Sequence, residues 1–224
     1  MTGLNDEKNI LKAYNMLLYF AGTMVMYDPA IECIHDFWKQ GILKKLPVSS
    51  NNMMFIRAAS QLRESVEDAS SNLENMTKDF QQLFVSEDSP AVPVESSFCK
   101  KSTLASYRKG SDVTDFYRAY GFKSKFSPKT PADHIGNELL FLTKLIEDYL
   151  ELDDNACIIE MRGEIRRFLN QHIFSWIPDW TKTVQEKAST VSYKGISSLI
   201  QACTEDIYSM MTGLTELASP SLGN

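Results

Sequence analysis

The sequence has four cysteines, Cys33, Cys99, Cys157 and Cys203, and no two of them stand closer than 46 residues. Such spacing provides neither a metal knuckle nor a redox pair, so reduced thiols on helix faces are expected. Ten glycines are scattered without forming a cluster. No phosphate-cradling glycine loop, no Gly-x-Ser-x-Gly elbow and no His-Glu-x-x-His occurs, which disfavours the enzymes built on those motifs. Histidine is limited to His35, His134 and His172. No apolar run approaches the roughly 20 residues needed to cross a bilayer, so stable membrane insertion is not expected. The start, Met-Thr-Gly-Leu-Asn-Asp-Glu-Lys, has no basic region ahead of a hydrophobic one, which points to the cytoplasm. Clustered positive charge is lacking too: the net charge is -6, and the basic groupings are no larger than Lys100-Lys101 and Arg166-Arg167. Phosphate contacts need clustered cations, which argues against a nucleic-acid partner.

What is present is helical periodicity. Hydrophobic residues make up 43% and charged residues 23% of the 224, the balance of a chain that folds. Apolar residues recur at helical spacing over residues 5–26, then from Asp28-Pro29 to a stop at Gly41. A third helix carries Met54, Ala58, Leu62 and Val66, and a fourth runs from about 70 to 85. Ser111 or Asp112 caps a helix through Val113, Phe116 and Tyr117 that Gly121 closes in a left-handed conformation. Ile158, Ile165, Phe168 and His172 mark another long helix, and a last one spans about 194–217. No strand-like alternation extends beyond a few residues, and the fold class expected is all-α. The helical bundle packs either as one domain or as two lobes, 1–121 and 131–218, joined by a hinge loop at 122–130 and followed by a flexible tail at 219–224.

Residues 131–145, Pro-Ala-Asp-His-Ile-Gly-Asn-Glu-Leu-Leu-Phe-Leu-Thr-Lys-Leu, organise the rest. Thr130 is placed to cap this helix, Pro131 suits its first position, and Asp133 can answer the cap. Ile135, Leu139, Leu142, Ile146 and Tyr149 form one apolar stripe that faces a core. Asp133, His134 and Glu138 admit two readings: a cap with an ordinary i, i+4 pair, or a binding corner where a helix N-terminus, a carboxylate and an imidazole meet a partner. Glu95, after the Pro-rich loop at 86–93, is either a binding carboxylate or the first-turn acid of a short helix. Glu147, Asp148, Glu151, Asp153 and Asp154 are a solvated helix end and turn, or an electrostatic lure for a basic peptide.

The stretch Pro131-x-Asp133-His134-Ile135-x-x-Glu138-Leu139-x-Phe141-Leu142 resembles the signature of the TorD/DmsD family of redox-enzyme maturation chaperones, related to the NarJ type. Three more segments match it in order: Asp79-Phe80-x-x-Leu83-Phe84 with Pro93-x-Glu95-Ser96-x-Phe98, then Tyr120-Gly121-Phe122, then Phe168-Leu169-x-x-His172-x-x-x-Trp176-x-Pro178. The resemblance covers roughly residues 79–180. It implies an all-α cytoplasmic chaperone, without catalytic residues, cofactor or metal, that holds a molybdenum-cofactor oxidoreductase of the dimethyl-sulfoxide-reductase type during cofactor insertion. The partner implied is the molybdoenzyme catalytic subunit with its twin-arginine leader peptide, bound by a monomer or a domain-swapped dimer. Asp133, Glu138 and Glu95 would meet the arginines, Phe80, Phe84, Tyr120 and Phe122 would line the apolar groove, and His134 would orient the ligand or report on pH. A different class, an all-α metal-dependent phosphohydrolase, would need His35-Asp36 and Asp133-His134 as ligand pairs.

Overall fold

The apolar stripes expected from the sequence are the surfaces that meet in the fold. The computed structural model describes residues 2–29, 42–67, 69–99, 112–124 and 130–217. The first helix, α1 (Thr2–Met26), buries Leu11, Tyr14, Leu18 and Ala21 on one face. A 3-10 turn at Ile42–Lys44 leads to α2 (Met53–Glu67), whose Ala58 and Leu62 are fully buried. Next come α3 (Ala69–Phe80), continued by a π turn at Gln81–Val85, and the single-turn α4 (Glu95–Phe98). Beyond these lie α5 (Val113–Ala119), α6 (Ile135–Leu150), and α7 (Asn155–Phe168) with its own π turn at Leu169–Ile173. The chain closes with α8 (Ile177–Lys187) and α9 (Val191–Leu217). The described residues contain no strand, and an isolated antiparallel bridge joins Val94 to His134.

Helix α9 is the axis of the bundle, packed along α2 and also against α1, α7 and α8. Gly195 makes the α2 contact possible: a Cβ there would stand 2.9 Å from Leu62 Cδ2 and 3.2 Å from the Leu62 backbone nitrogen. Helix α6 lies between α1 and α7, so elements from before residue 121 and after residue 131 share one core. Its stripe is as expected: Ile135, Leu139, Leu142, Ile146 and Tyr149 are all buried. Lys8 of α1 reaches over the C-terminal end of α6 and donates to the carbonyls of Leu150 at 2.7 Å and Leu152 at 3.3 Å, where a cation also suits the helix dipole. Leu139→Ala and Leu142→Ala should each cost about 2–5 kcal/mol in a urea melt, through lost transfer energy and the cavity left behind. A cost below about 1 kcal/mol for either would show that the site collapses and that this stripe is not tightly packed.

Several boundaries differ from expectation. The helix at 113 is capped by Asp112, which accepts from the Thr114 N–H at 3.1 Å, and Gly121 is left-handed at φ 60° as expected. The expected fourth helix and the helix ending at His172 each finish in a π turn, which periodicity alone does not reveal. Helix α8 is an addition: Thr-Lys-Thr-Val-Gln-Glu-Lys is polar, and its small buried face, Ile177, Trp180, Thr181 and Val184, packs on α9. Residues 30–41 of the helix expected from Asp28-Pro29 to Gly41 and the tail at 219–224 lie outside the described residues, as do residues 125–129 of the expected hinge.

Candidate functional site

The signature helix begins four residues later than local capping rules suggest. His134, not Thr130, is the N-cap of α6, and its Nδ1 accepts from the Gly136 N–H at 3.0 Å. Pairing with the Pro-rich loop overrides the local preference. The Ile135 N–H donates to the Pro93 carbonyl and the Glu95 N–H to the Asp133 carbonyl, both at 2.9 Å, which holds His134 extended. Asp133 therefore does not answer a cap in its own helix; its Oδ2 accepts from the Ser96 N–H at 3.1 Å, at the start of α4. Tyr117 OH donates to the Ala132 carbonyl at 3.0 Å, and Asn137 Nδ2 donates to that of Pro131 at 2.8 Å, so the turn before α6 is tied from both sides.

His134 is partly buried, and the cost of charging it there pushes its pKa down to about 4 despite the opposing Asp133 carboxylate. Protonation at Nδ1 would also abolish the cap. With its pKa held near 4, His134 is expected to be neutral across the physiological range. Because the unfolded chain takes up this proton near pH 6.5 and the folded chain does not, stability should fall as pH drops from about 6.5 towards 4. An NMR titration that placed the His134 midpoint near 6.5 would refute this.

Beneath the junction lie three ionisable groups from three separate stretches of sequence. Glu95 comes from the first turn of α4, Glu138 from α6, and His172 from the π turn after α7. His172 Nδ1 is 3.1 Å from Glu95 Oε2, with 3% and 4% of the two side chains exposed. Glu138 is completely buried. Neither of its oxygens has a well-formed hydrogen bond; the neighbouring Trp176 indole N–H goes instead to the His172 carbonyl at 2.6 Å. Burial first, and then the Glu95 and Asp133 carboxylates, push the Glu138 pKa well above the usual carboxylate range. One donor atom from each of Glu95, Glu138 and His172 can be chosen so that all three lie within 4.8 Å of one another. Rings of Phe116 and Phe168 enclose the imidazole.

The remaining residues singled out from the sequence are spread more widely. Phe80 and Phe84 are buried, Phe84 stacking on Trp180 with centroids 6.1 Å apart. Tyr120 is partly buried and donates to Glu164 Oε2 at 3.1 Å, while Phe122 packs on Tyr117 and Phe141. Asp133, His134, Glu95 and Glu138 are thus brought together, but in this conformation Glu95, Glu138, Phe80 and Phe84 are closed off from solvent. The hydrolase ligand pair Asp133-His134 is engaged in helix caps, and His35-Asp36 lies outside the described residues.

A feature that pattern reading missed is an open groove of about 590 Å³ between α1 and α6. Its floor and walls include Lys12, Met16 and Tyr19 from one helix and Glu147, Asp148 and Glu151 from the other end. Met16 is 66% and Tyr19 59% exposed. Their spacing of three residues, off the buried stripe of α1, was the available signal.

Fold and site together define an all-α protein in which a short helix and a Pro-rich loop are clamped onto the start of a central helix over a buried acid–imidazole cluster. The chain belongs to the nitrate reductase delta subunit family, the TorD/NarJ group, whose profile matches residues 55–182. Chaperone protein TorD of Aliivibrio salmonicida is 25% identical over 126 residues, 56% of this chain and 59% of that protein. The TorD proteins of Aliivibrio fischeri and Photobacterium profundum are each 28% identical, over 127 and 129 residues, covering 56% and 57% of this chain and 59% of each relative. The match thus spans about 59% of the length of these curated relatives.

Proposed function

We propose that the protein is a cytoplasmic chaperone that holds a molybdoenzyme catalytic subunit of the dimethyl-sulfoxide-reductase type during cofactor insertion and engages its twin-arginine leader. Kinship with TorD chaperones supports binding rather than catalysis as its role. The observation that carries leader recognition is the groove between α1 and α6, where exposed Met16 and Tyr19 face a row of carboxylates. A twin-arginine leader joins a basic segment to a moderately apolar one, so its receptor needs both characters side by side. Asp148 is already paired with Lys144 at 2.7 Å. Glu147 and Glu151, both exposed, are in no ion pair among the described residues and are the carboxylates available to guanidinium groups.

Calorimetry with an Arg-Arg leader peptide tests this. A guanidinium binds a carboxylate through two parallel hydrogen bonds that lysine cannot copy, so a Lys-Lys peptide should bind more weakly and with greater salt sensitivity. Shortening the apolar stretch should abolish binding, since burial at roughly 25 cal/mol per Å² supplies most of the affinity. The double substitution Glu147→Lys with Glu151→Lys should weaken binding at least about tenfold, or ~1.4 kcal/mol. If Asp133→Asn with His134→Gln has that effect instead, the leader docks at the α6 junction. Absence of binding at about 1 mM, a bound of only ~4 kcal/mol, would leave the folded body of the client as the contact.

A further inference from the structure

We propose that Glu95, Glu138 and His172 form a binding site for a single divalent transition-metal ion, held between α4, α6 and the π turn that follows α7. The argument starts from what the three side chains leave undone. Both Glu138 oxygens and His172 Nε2 are buried with no well-formed hydrogen bond among the described residues, and the polar neighbours of Glu138, the Trp176 indole and the Glu95 carboxyl, do not meet it in good geometry. Buried carboxylates are ordinarily satisfied, because each unmade bond costs the full desolvation of the group. The nearest charges acting on Glu138 make its position worse, since Glu95 and Asp133 are both carboxylates. A dication would cancel the charge of Glu95 and Glu138 and use the orphaned Glu138 lone pairs at the same time, with one ring nitrogen of His172 completing the set.

Geometry and chemistry agree with this. Metal-bound donors lie roughly 2.0–2.2 Å from zinc, hence about 3–4 Å from one another. The three donors already lie within 4.8 Å of one another, so closing on an ion asks for movement of about an ångström. Glu138 can bind through both oxygens, which brings the donor set to four. Carboxylates and a histidine projecting from facing helices are a recurrent way for helical bundles to hold a metal in their core. π turns recur at functional positions, and the π turn here is what carries His172. One imidazole with two carboxylates suits zinc, ferrous iron and manganese; zinc binds such sites more tightly than the other two and is the probe of choice. The site is closed to solvent, so the ion would brace α4 and its loop against the bundle. It does not rest on leader binding.

The experiment is metal analysis and melting of the full chain. Chelator-stripped protein should take up about one equivalent of zinc, and its Tm should rise on doing so. Glu138→Gln and His172→Gln keep side-chain volume but remove a ligand; each should lower zinc affinity at least tenfold and abolish the Tm rise. Cys157→Ser, at an exposed thiol, should leave both unchanged. Circular dichroism confirms that the variants fold. Should either fail to fold, X-ray absorption of the zinc-loaded wild type replaces it, and a shell of oxygens with one imidazole is expected. The proposal is overturned if stripped wild-type protein binds neither zinc, manganese nor ferrous iron at tens of micromolar. It is equally overturned if Glu138→Gln binds zinc as the wild type does, or if the shell is dominated by sulfur. In those cases the cluster is a proton-sharing core in which Glu138 stays neutral.

Discussion

Asp79→Ala is expected to lower folding stability by about 2–4 kcal/mol, among the largest effects of any polar substitution in this chain. Asp79 ends α3 and is only 1% exposed, yet it belongs functionally to α9. Its carboxylate accepts from the Ser189 N–H at 3.0 Å, the Thr190 N–H at 2.9 Å and the Thr190 hydroxyl at 2.6 Å. These groups sit immediately before the first turn of the 27-residue axial helix, where unsatisfied N–H groups and the helix dipole both favour an anion. Alanine would strand the Thr190 N–H and hydroxyl, both buried, and would also take the acceptor from the part-buried Ser189 N–H. Asp79→Asn should lose less than Ala but still more than a surface change, because one acceptor oxygen remains. Urea melts with unchanged slope and a lowered midpoint are the readout. A cost under about 1 kcal/mol would mean that water or a shifted loop replaces the carboxylate.

Arg162→Met should cost about 3–5 kcal/mol, the range typical of breaking a buried ion pair from one side. Arg162 on α7 is buried. Nη2 meets Glu7 of α1 at 2.6 Å, Nη1 donates to the Met210 carbonyl of α9 at 2.7 Å, and the guanidinium lies over the Tyr149 ring of α6 at 5.4 Å. Tyr149 OH also donates to Glu7 Oε1, at 2.7 Å. One cation thus joins four helices, and its removal leaves a carboxylate that is only 17% exposed. Because that stranded acid is much of the penalty, Arg162→Met with Glu7→Gln should be clearly less destabilising than the sum of the two single changes. Additive costs within about 0.5 kcal/mol would show that the two groups are not coupled.

The polar residues of the signature are instructive about what motif reading reaches. Asp133, His134, Glu95, Glu138 and His172 stand in stretches that resembled one family in order, and the chain belongs to that family. Their jobs were not visible in the pattern. Asp133 caps a helix that precedes it by some 40 residues of chain, His134 caps its own helix, and Glu138 faces the interior with the apolar stripe. A glutamate one turn after a histidine looks like a surface pair when only spacing is known. The acidic wall of the groove between α1 and α6 was legible as a possible lure for a basic peptide, but its apolar wall was hidden, because Met16 and Tyr19 look like ordinary members of an apolar helix until the partners of the other face are known.

By itself the sequence determined the helical class, the buried stripes of the long helices, and the close of one helix at Gly121. Those depend on interactions within about one turn: the stripe from Ile135 to Tyr149, the Asp112 cap and left-handed Gly121 are each specified by residues near them. The tertiary structure alone decided that α6 starts at Ile135, that Asp79 caps α9, and that Arg162 ties four helices together. It alone also brought Glu95, Glu138 and His172 within reach of one another. The reason is physical. A local stripe says that a face must be buried but carries no record of what covers it, whereas caps and charge clusters made across more than about 30 residues exist only once packing has chosen the partners.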